Sequence, residues 1–293
     1  MSAIGIVDGT DVGEALVGRL SSDGRRVLSG GDAAAFKRMA AEARLILVDA
    51  RSAELPRVLR ELGEHLDPNH LVVHTVHGLA GEDSAAALIE RESAVRRIGV
   101  LAGPLLVSSL RQGRPTAAVI ASRHPEVMEE FAEVLSTPRL RVYRSRDPVG
   151  VELSASLADL AVLGCAMADA LALGGAARAV VVVRAVRELG RLVQAAGGDP
   201  VTATGLAGLG DILVRSGDES TTAYRLGVAL AKGDPVDPQA RAVVEQTAAR
   251  LVALNRVYKV SAHIFEGLAA FLGGKVTPGD LVERLMTIRV LDE

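Results

Sequence analysis

Near the start of the chain stands the segment Ile4-Gly5-Ile6-Val7-Asp8-Gly9-Thr10-Asp11-Val12-Gly13. It begins with a short run of apolar residues, passes through a polar turn that contains glycine, and continues into Val12–Leu20, where apolar residues recur at helical spacing. A strand joined by such a turn to an amphipathic helix is typical of the first unit of a doubly wound α/β domain.

The same pattern repeats further along the chain. Short apolar runs that predict strands are Leu45–Val48, Leu71–His74, Ile98–Leu101 and Ala117–Ile120, with a further one near Leu140–Tyr143. Between them, Leu55–Leu62 and Ala85–Glu90 have apolar residues at helical spacing. Residues 1–147 are therefore predicted to form a doubly wound domain with a mostly parallel sheet.

The pattern changes at Val149 to long helical runs without strand-like alternation. The runs are Val151–Leu173, Ala176–Ala196 and Pro238–Val257. The polar segment Arg144–Pro148 separates the two patterns, and its proline disfavours helix in the residue before it. We therefore expect residues 148–293 to form a second, all-α domain.

Composition excludes several classes of protein. The 293 residues are 49% hydrophobic and 24% charged, which is globular usage, and we expect no membrane span and no secretion signal, hence a cytoplasmic location. The net charge of −3 is spread along the chain, and the few aromatic residues are not interleaved with basic clusters, so nucleic acid is not an expected partner.

Cysteine and histidine predict no metal site. The single cysteine, Cys165, lies in an apolar run that favours a buried, inert thiol. The scattered histidines His65, His70, His124 and His263 lack metal-ligand spacing.

The turn after the first strand departs from the dinucleotide-binding pattern Gly-x-Gly-x-x-Gly. Asp8 stands at the first glycine position and Thr10 at the second, while Gly13 matches the third. Gly9, one position after the expected first glycine, would allow the same loop to form with its glycine shifted by one residue. The candidate cofactor-binding residues in this turn are therefore Gly9, Thr10 and Gly13, and NAD(P) binding is expected to be weakened without being excluded.

Acidic side chains surround the same turn. Asp8, Asp11 and Glu14 lie near a helix N-terminus that would otherwise attract phosphate, and their charges oppose an anionic ligand. The alternative is that Asp8 or Asp11 simply caps the helix.

Motifs in the middle of the chain carry a family resemblance. Gly150-Val-Glu-Leu153, Ser156-Leu-Ala-Asp159, Ala177-Arg-Ala179 and Gly205-Leu-Ala-Gly-Leu-Gly-Asp211 occur in the order in which the bacterial NAD(P)-dependent glycerol-3-phosphate dehydrogenases have GVEL, ALKN, NARA and GLAGLGD. Val100-Leu-Ala-Gly-Pro104 is similar to that family's (V/I)LSGP turn and adds Gly103 to the candidate cofactor-binding residues. The chain resembles this family over nearly its whole length.

The resemblance implies a Rossmann-type domain followed by a helical substrate domain, commonly associated as a homodimer. It also implies reversible hydride transfer between NAD(P)H and dihydroxyacetone phosphate. A ketone that accepts hydride develops negative charge on its oxygen, so a positioned cationic acid has to stabilise and protonate it.

The chain lacks the side chains that the family uses for this chemistry. The lysine of ALKN corresponds to Ala158, which carries neither a charge nor a proton to donate. A second family lysine, in a T-K-G turn, corresponds to His77, the candidate substitute donor; the alternative for His77 is a polar loop residue. His74, on the preceding strand, is expected to face the core.

The residues that bind the substrate phosphate in the family are also replaced in this chain. An Arg-Asn pair that holds it in the family corresponds to Thr222 and Ala223, which follow Thr221. Asp211 is retained, but an aspartate alone repels a phosphate. The predicted substrate-pocket residues are therefore Asp211, Thr221, Thr222 and Ala223.

Three functional hypotheses follow. The first is a non-catalytic scaffold that binds a small ligand or a protein partner. The second is an active NAD(P)-linked oxidoreductase on a non-phosphorylated substrate, with His77 as proton donor and Arg215 or Arg225 supplying positive charge unless these arginines lie on solvated helix surfaces. The third is an ordinary glycerol-3-phosphate dehydrogenase with its sites rebuilt from other residues.

Overall fold

The computed structural model describes residues 3–75 and 84–287, and its first half is a seven-stranded sheet. The strands are β1 (Ile4–Asp8), β2 (Val27–Ser29), β3 (Leu45–Asp49), β4 (Leu71–His74), β5 (Ile98–Ala102), β6 (Thr116–Ser122) and β7 (Leu140–Ser145). Every strand predicted from the sequence is present. The short β2 was missed because its apolar content is limited to Val27 and Leu28.

Helices connect the strands and make up the second half. They are α1 (Asp11–Ser22), α2 (Ala33–Glu42), α3 (Leu55–Gly63), α4 (Ala85–Glu92), α5 (Val107–Gln112), α6 (Pro125–Leu135), α7 (Pro148–Ala170), α8 (Gly174–Ala195), α9 (Asp211–Arg215), α10 (Thr222–Lys232), α11 (Pro238–Tyr258), α12 (His263–Leu272) and α13 (Pro278–Thr287). The predicted fold class, a doubly wound sheet followed by an α-helical part, is confirmed.

The strand order β2-β1-β3-β4-β5-β6-β7 determines where a ligand crevice opens. Strands β1 to β5 pair in parallel, and β6 runs antiparallel to β5. The chain leaves β1 for β2 on one side and returns to β3 on the other, so the winding direction reverses between β1 and β3. In open α/β sheets, ligands bind at the carboxyl ends of the strands at such a reversal.

Helices cover both faces of the sheet. One face packs on α1, α5 and α6 through residues such as Leu16, Leu110 and Phe131. The other packs on α2, α3 and α4 through residues such as Phe36 and Leu59. Burial on both faces explains why the strands read as continuous apolar runs rather than as alternating patterns.

The helix α7 is the centre of the second half. It is buried along almost its whole length among α8, α10, α11 and α12. By length and composition it would qualify to cross a membrane, against our expectation from the sequence, but 94% of its apolar window is buried inside the protein. Its hydrophobicity is that of a core helix.

A small apolar cluster joins the sheet to α7. Val100 and Ala102 of β5, together with Val119 and Ala121 of β6, pack against residues that include Ala155 of α7. The carboxyl end of β5 therefore faces the helical part directly.

Candidate functional site

The turn between β1 and α1 lies at the reversal point of the sheet. Thr10 is the N-cap of α1, and its hydroxyl oxygen accepts a hydrogen bond from the Val12 N–H at 3.2 Å. The expectation that Asp8 or Asp11 caps this helix was wrong: Asp8 ends β1 and Asp11 is the first helical residue. Threonine therefore satisfies one donor of the first turn at the position where a dinucleotide-binding loop has its second glycine.

The carboxylate of Asp49 occupies the N-terminus of α1. Asp49 ends β3, the strand beside β1, and its Oδ2 accepts hydrogen bonds from the Thr10 N–H at 2.9 Å, the Thr10 hydroxyl at 2.7 Å and the Gly13 N–H at 2.9 Å. Its Oδ1 accepts a hydrogen bond from the Thr75 hydroxyl. These backbone N–H groups belong to the helix end at which Rossmann-type domains hold pyrophosphate.

The glycines of the turn make room for β3. A Cβ on Gly13 would lie 2.6 Å from Asp49 Oδ2, and a Cβ on Gly9 would lie 2.8 Å from the Asp49 carbonyl oxygen. The Gly9 N–H also donates to that carbonyl oxygen at 2.8 Å. The close approach that glycine permits is therefore used by the chain's own β3.

Two other acidic side chains near the turn have a basic neighbour. Asp11 and Glu14 lie 3.6 and 3.4 Å from Arg111 of α5. Arg111 offsets part of the negative charge at the surface, whereas the Asp49 carboxylate is buried.

Asp49 is a residue that sequence reasoning missed. Its signal is an aspartate placed directly after the apolar run Leu45–Val48. Which strand lies beside β1 depends on the strand order, and the pattern of apolar runs does not give that order.

A second polar cluster lies between α7 and α9, around the predicted site of the missing lysine. Ala158 is fully buried in the helical core. Next to it, Asp159 forms an ion pair with Arg215, and Arg215 Nη1 also donates to Asp211 Oδ2 at 3.0 Å. Both carboxylates are buried.

Arg215 therefore does not lie on a solvated helix surface, and that alternative was wrong. Burial lowers the pKa of its guanidinium, but the charges of Asp159 and Asp211 outweigh this effect and hold the pKa above its ordinary value. Two carboxylates face one guanidinium, so the cluster offers no excess positive charge to an anionic substrate.

The other predicted pocket residues are distributed over the start of α10. Thr221 precedes the helix and Thr222 is exposed, whereas Ala223 is buried in the helical core. Arg225 is exposed and donates to the Ser220 carbonyl oxygen at 2.9 Å. These residues do not form a second cationic clamp.

The remaining candidates lie elsewhere. Gly103, with a φ of 107°, follows β5, and a Cβ on it would lie 3.5 Å from the Leu206 carbonyl oxygen. It is thus a neighbour of the Gly205–Gly210 run. His77 lies outside the described residues. His74 is buried as expected.

Burial also raises the pKa of the Cys165 thiol to about 11, which keeps it protonated and unreactive near neutral pH. Within residues 3–75 and 84–287, no group of three or more His, Cys, Asp or Glu side chains is arranged to hold a metal ion.

Comparison with known protein families gives two matches. The family model for the NAD-dependent glycerol-3-phosphate dehydrogenase C-terminus matches residues 147–283, and the model for the N-terminus matches residues 33–128. The N-terminal match begins after the β1–α1 turn.

Individual relatives agree with these matches. The chain is 33% identical over 238 residues to a glycerol-3-phosphate dehydrogenase [NAD(P)+] of Rhizobium johnstonii, which covers 80% of this chain and 73% of the relative. It is 31% identical over 252 residues to the protein of that name from Desulfitobacterium hafniense, covering 84% of this chain and 72% of the relative.

Solved structures show the same fold. A glycerol-3-phosphate dehydrogenase from Coxiella burnetii superposes with a TM-score of 0.86 at 24% identity, covering 98% of this chain and 99% of the other. A D-mandelate dehydrogenase solved with NADH superposes with a TM-score of 0.61 at 13% identity, covering 94% and 98% of the two chains.

Proposed function

The chain belongs to the NAD-dependent glycerol-3-phosphate dehydrogenase family, and from that premise we propose that it is a non-catalytic member, a binding or regulatory scaffold without the family's hydride transfer. The observation that carries this proposal is the Asp49 carboxylate bound at the N-terminus of α1. The carboxylate lies where the cofactor's pyrophosphate would bind, and hydride transfer requires the cofactor.

The residues of the β1–α1 turn do not fit a dinucleotide. A pyrophosphate at this helix end needs free backbone N–H groups and little negative charge nearby. Here the N–H groups of Thr10 and Gly13 donate to Asp49, and that of Val12 donates to the Thr10 hydroxyl. An incoming phosphate would have to displace a carboxylate that the chain itself holds in place, against repulsion between like charges.

The cluster at Ala158 supports the same proposal. Reduction of a ketone needs a cation that donates a proton to the developing oxyanion. Ala158 has neither a positive charge nor a proton to donate, and the Arg215 guanidinium is already paired with Asp159 and Asp211. Loss of a general acid lowers rates by roughly 10²–10⁴-fold, which adds to the loss of cofactor affinity.

The family also supports an assembly and a domain organisation. We propose a homodimer by analogy with the family and a division into domains 1–147 and 148–293, at the point where β7 leads into α7. A cytoplasmic location and a protein or small-molecule partner complete the proposal.

The test has two parts. The first is a calorimetric titration of the chain with NADH and with NADPH up to millimolar concentration. The second is an assay of dihydroxyacetone phosphate reduction. The Rhizobium johnstonii relative serves as positive control. We expect saturable binding and turnover for the relative and neither for this chain. Saturable cofactor binding by this chain would instead favour an oxidoreductase acting on another substrate, and turnover of dihydroxyacetone phosphate would contradict the proposal outright.

A further inference from the structure

A cavity of about 430 Å³ is lined by other residues than those of the two clusters described above. Its walls come from α4, β5, the turn after β6, and the helices α7 and α11. A cavity of this size accommodates a small organic molecule.

Arg250 of α11 lines this cavity and is only 2% exposed. Its Nη2 donates to Glu152 Oε1 at 3.2 Å, whereas its Nε and Nη1 have no hydrogen-bond acceptor within the described part of the chain. Buried donors of a charged group are costly when they lack acceptors, so such an arrangement requires an explanation.

Glu152 of α7 has other partners. Its Oε1 also accepts the Ala85 N–H at 3.2 Å, and its Oε2 lies 3.6 Å from His74 Nε2. The Glu152 carboxylate thus contacts the N-terminus of α4, the His74 ring and one nitrogen of the Arg250 guanidinium. A second acceptor is needed to complete the hydrogen bonds of Arg250.

The charges around the cavity favour an anion as that acceptor. Arg96 and Arg123 line it together with Arg250, and the carboxylates among the described lining residues are Glu90 and Glu152. Arg96 is fixed at the end of α4, where its Nη1 donates to the Ser93 carbonyl oxygen at 3.0 Å. The lining residues that the structure describes carry net positive charge even with their histidines neutral.

Aliphatic side chains form part of the remaining wall. Ile98, Val149, Leu153 and Leu254 line the cavity beside the charged groups. Apolar walls with a few convergent polar groups are the usual composition of a small-molecule site.

We propose that this cavity binds a small organic anion, whose carboxylate or phosphate group pairs with Arg250 and whose apolar body packs on the surrounding aliphatic side chains. The inference goes beyond the proposed loss of hydride transfer and does not depend on it, because none of the residues of the β1–α1 turn or of the Arg215 cluster lines the cavity.

The test uses benzoate and phenyl phosphate as probes and benzyl alcohol as the neutral control, with binding followed by isothermal titration calorimetry on the full chain. We expect saturable binding of at least one anion in the millimolar range or tighter and none of the alcohol. The tighter of the two anions identifies the preferred head group.

The variants separate binding from folding. Arg250→Met alone would leave Glu152 buried without its cation, so the informative variant is Glu152→Gln/Arg250→Met, which removes both charges. We expect it to bind the anion at least tenfold more weakly, whereas Arg256→Met, an exposed arginine on the same helix, should bind as the parent does. Absence of saturable binding of both anions, or equal affinity in the double variant, would overturn the proposal.

Discussion

At the scale of single residues, Asp49 shows how a chain can satisfy a helix N-terminus by itself. The first backbone N–H groups of a helix lack partners within the helix and attract anions. In this chain the anion is a side chain from the neighbouring strand, held by Thr10, Gly13 and Thr75. The same glycines that predicted a nucleotide loop are what allow it to approach.

Replacing Asp49 tests this assignment. Asp49→Ala removes the acceptor of two backbone N–H groups and two hydroxyls, and we expect the free energy of unfolding to fall by about 2–4 kcal/mol in urea denaturation. Millimolar pyrophosphate at constant ionic strength should raise the thermal midpoint of this variant, because the freed N–H groups accept a dissolved anion. The parent should show no such response.

The control is Asp11→Ala in the same turn. The Asp11 side chain is 76% exposed and lies 3.6 Å from Arg111, so its loss should change stability by no more than about 1 kcal/mol and create no response to pyrophosphate. An Asp49→Ala variant as stable as the parent, or a parent that responds equally to pyrophosphate, would contradict the assignment.

At the scale of elements, α10 packs closely on α7 at Gly227. A Cβ on Gly227 would lie 2.6 Å from the Leu163 carbonyl oxygen and 2.7 Å from the Ala166 Cβ. Both neighbours belong to α7, so relief requires the helices to separate.

We therefore expect Gly227→Ala to destabilise the protein by about 1–3 kcal/mol, although alanine favours helix by about 1 kcal/mol over glycine. Gly18→Ala in α1 is the matched control. It has no atom within 4 Å of the added Cβ, so it should stabilise by about 0.5–1 kcal/mol. Urea denaturation, monitored by circular dichroism, measures both changes in stability. If both variants change stability in the same direction, the contact of Gly227 with α7 does not determine the effect of its substitution.

Most strands could be predicted from the sequence because burial on two faces gives continuous apolar runs. Those runs located every strand except β2, whose Val27–Ser29 is too short to stand out. The end of α7 was placed too late, at Leu173 instead of Ala170, since Ala172 turns the chain with a φ of 54° and the apolar pattern continues through this turn.

The candidate sites were less predictable because their partners come from distant parts of the chain. The prediction that Ala158 replaces the family lysine comes from a motif, but the pairing of Arg215 with Asp159 depends on how α9 packs on α7. The cavity beside Arg250 likewise combines segments from both halves. Spacing along the sequence carries no signal for such contacts.

At the scale of the whole molecule, the sheet and the helical part share the apolar cluster around Ala155. Because α7 packs on β5 and β6 through this cluster, we expect the two halves to unfold in one cooperative transition, with equal calorimetric and van't Hoff enthalpies. Differential scanning calorimetry measures this directly.

Ala155→Glu places a charge in that cluster and should separate unfolding into two transitions. Ala176→Glu, at an exposed position near the start of α8, should leave one transition. An Ala155→Glu variant that unfolds like the parent would show that the halves are coupled elsewhere, and two transitions in the parent would show that they are not coupled.

The Asp49 carboxylate has a consequence for how such a protein behaves in a cell. A dissolved cofactor stabilises its enzyme more as its concentration rises, with a logarithmic dependence, so the enzyme's folded population responds to the metabolic supply of that cofactor. An anion attached to the chain is present at a fixed effective concentration. Under the proposed function, we therefore expect the β1–α1 turn to keep one conformation whether nicotinamide nucleotides are abundant or scarce, oxidised or reduced.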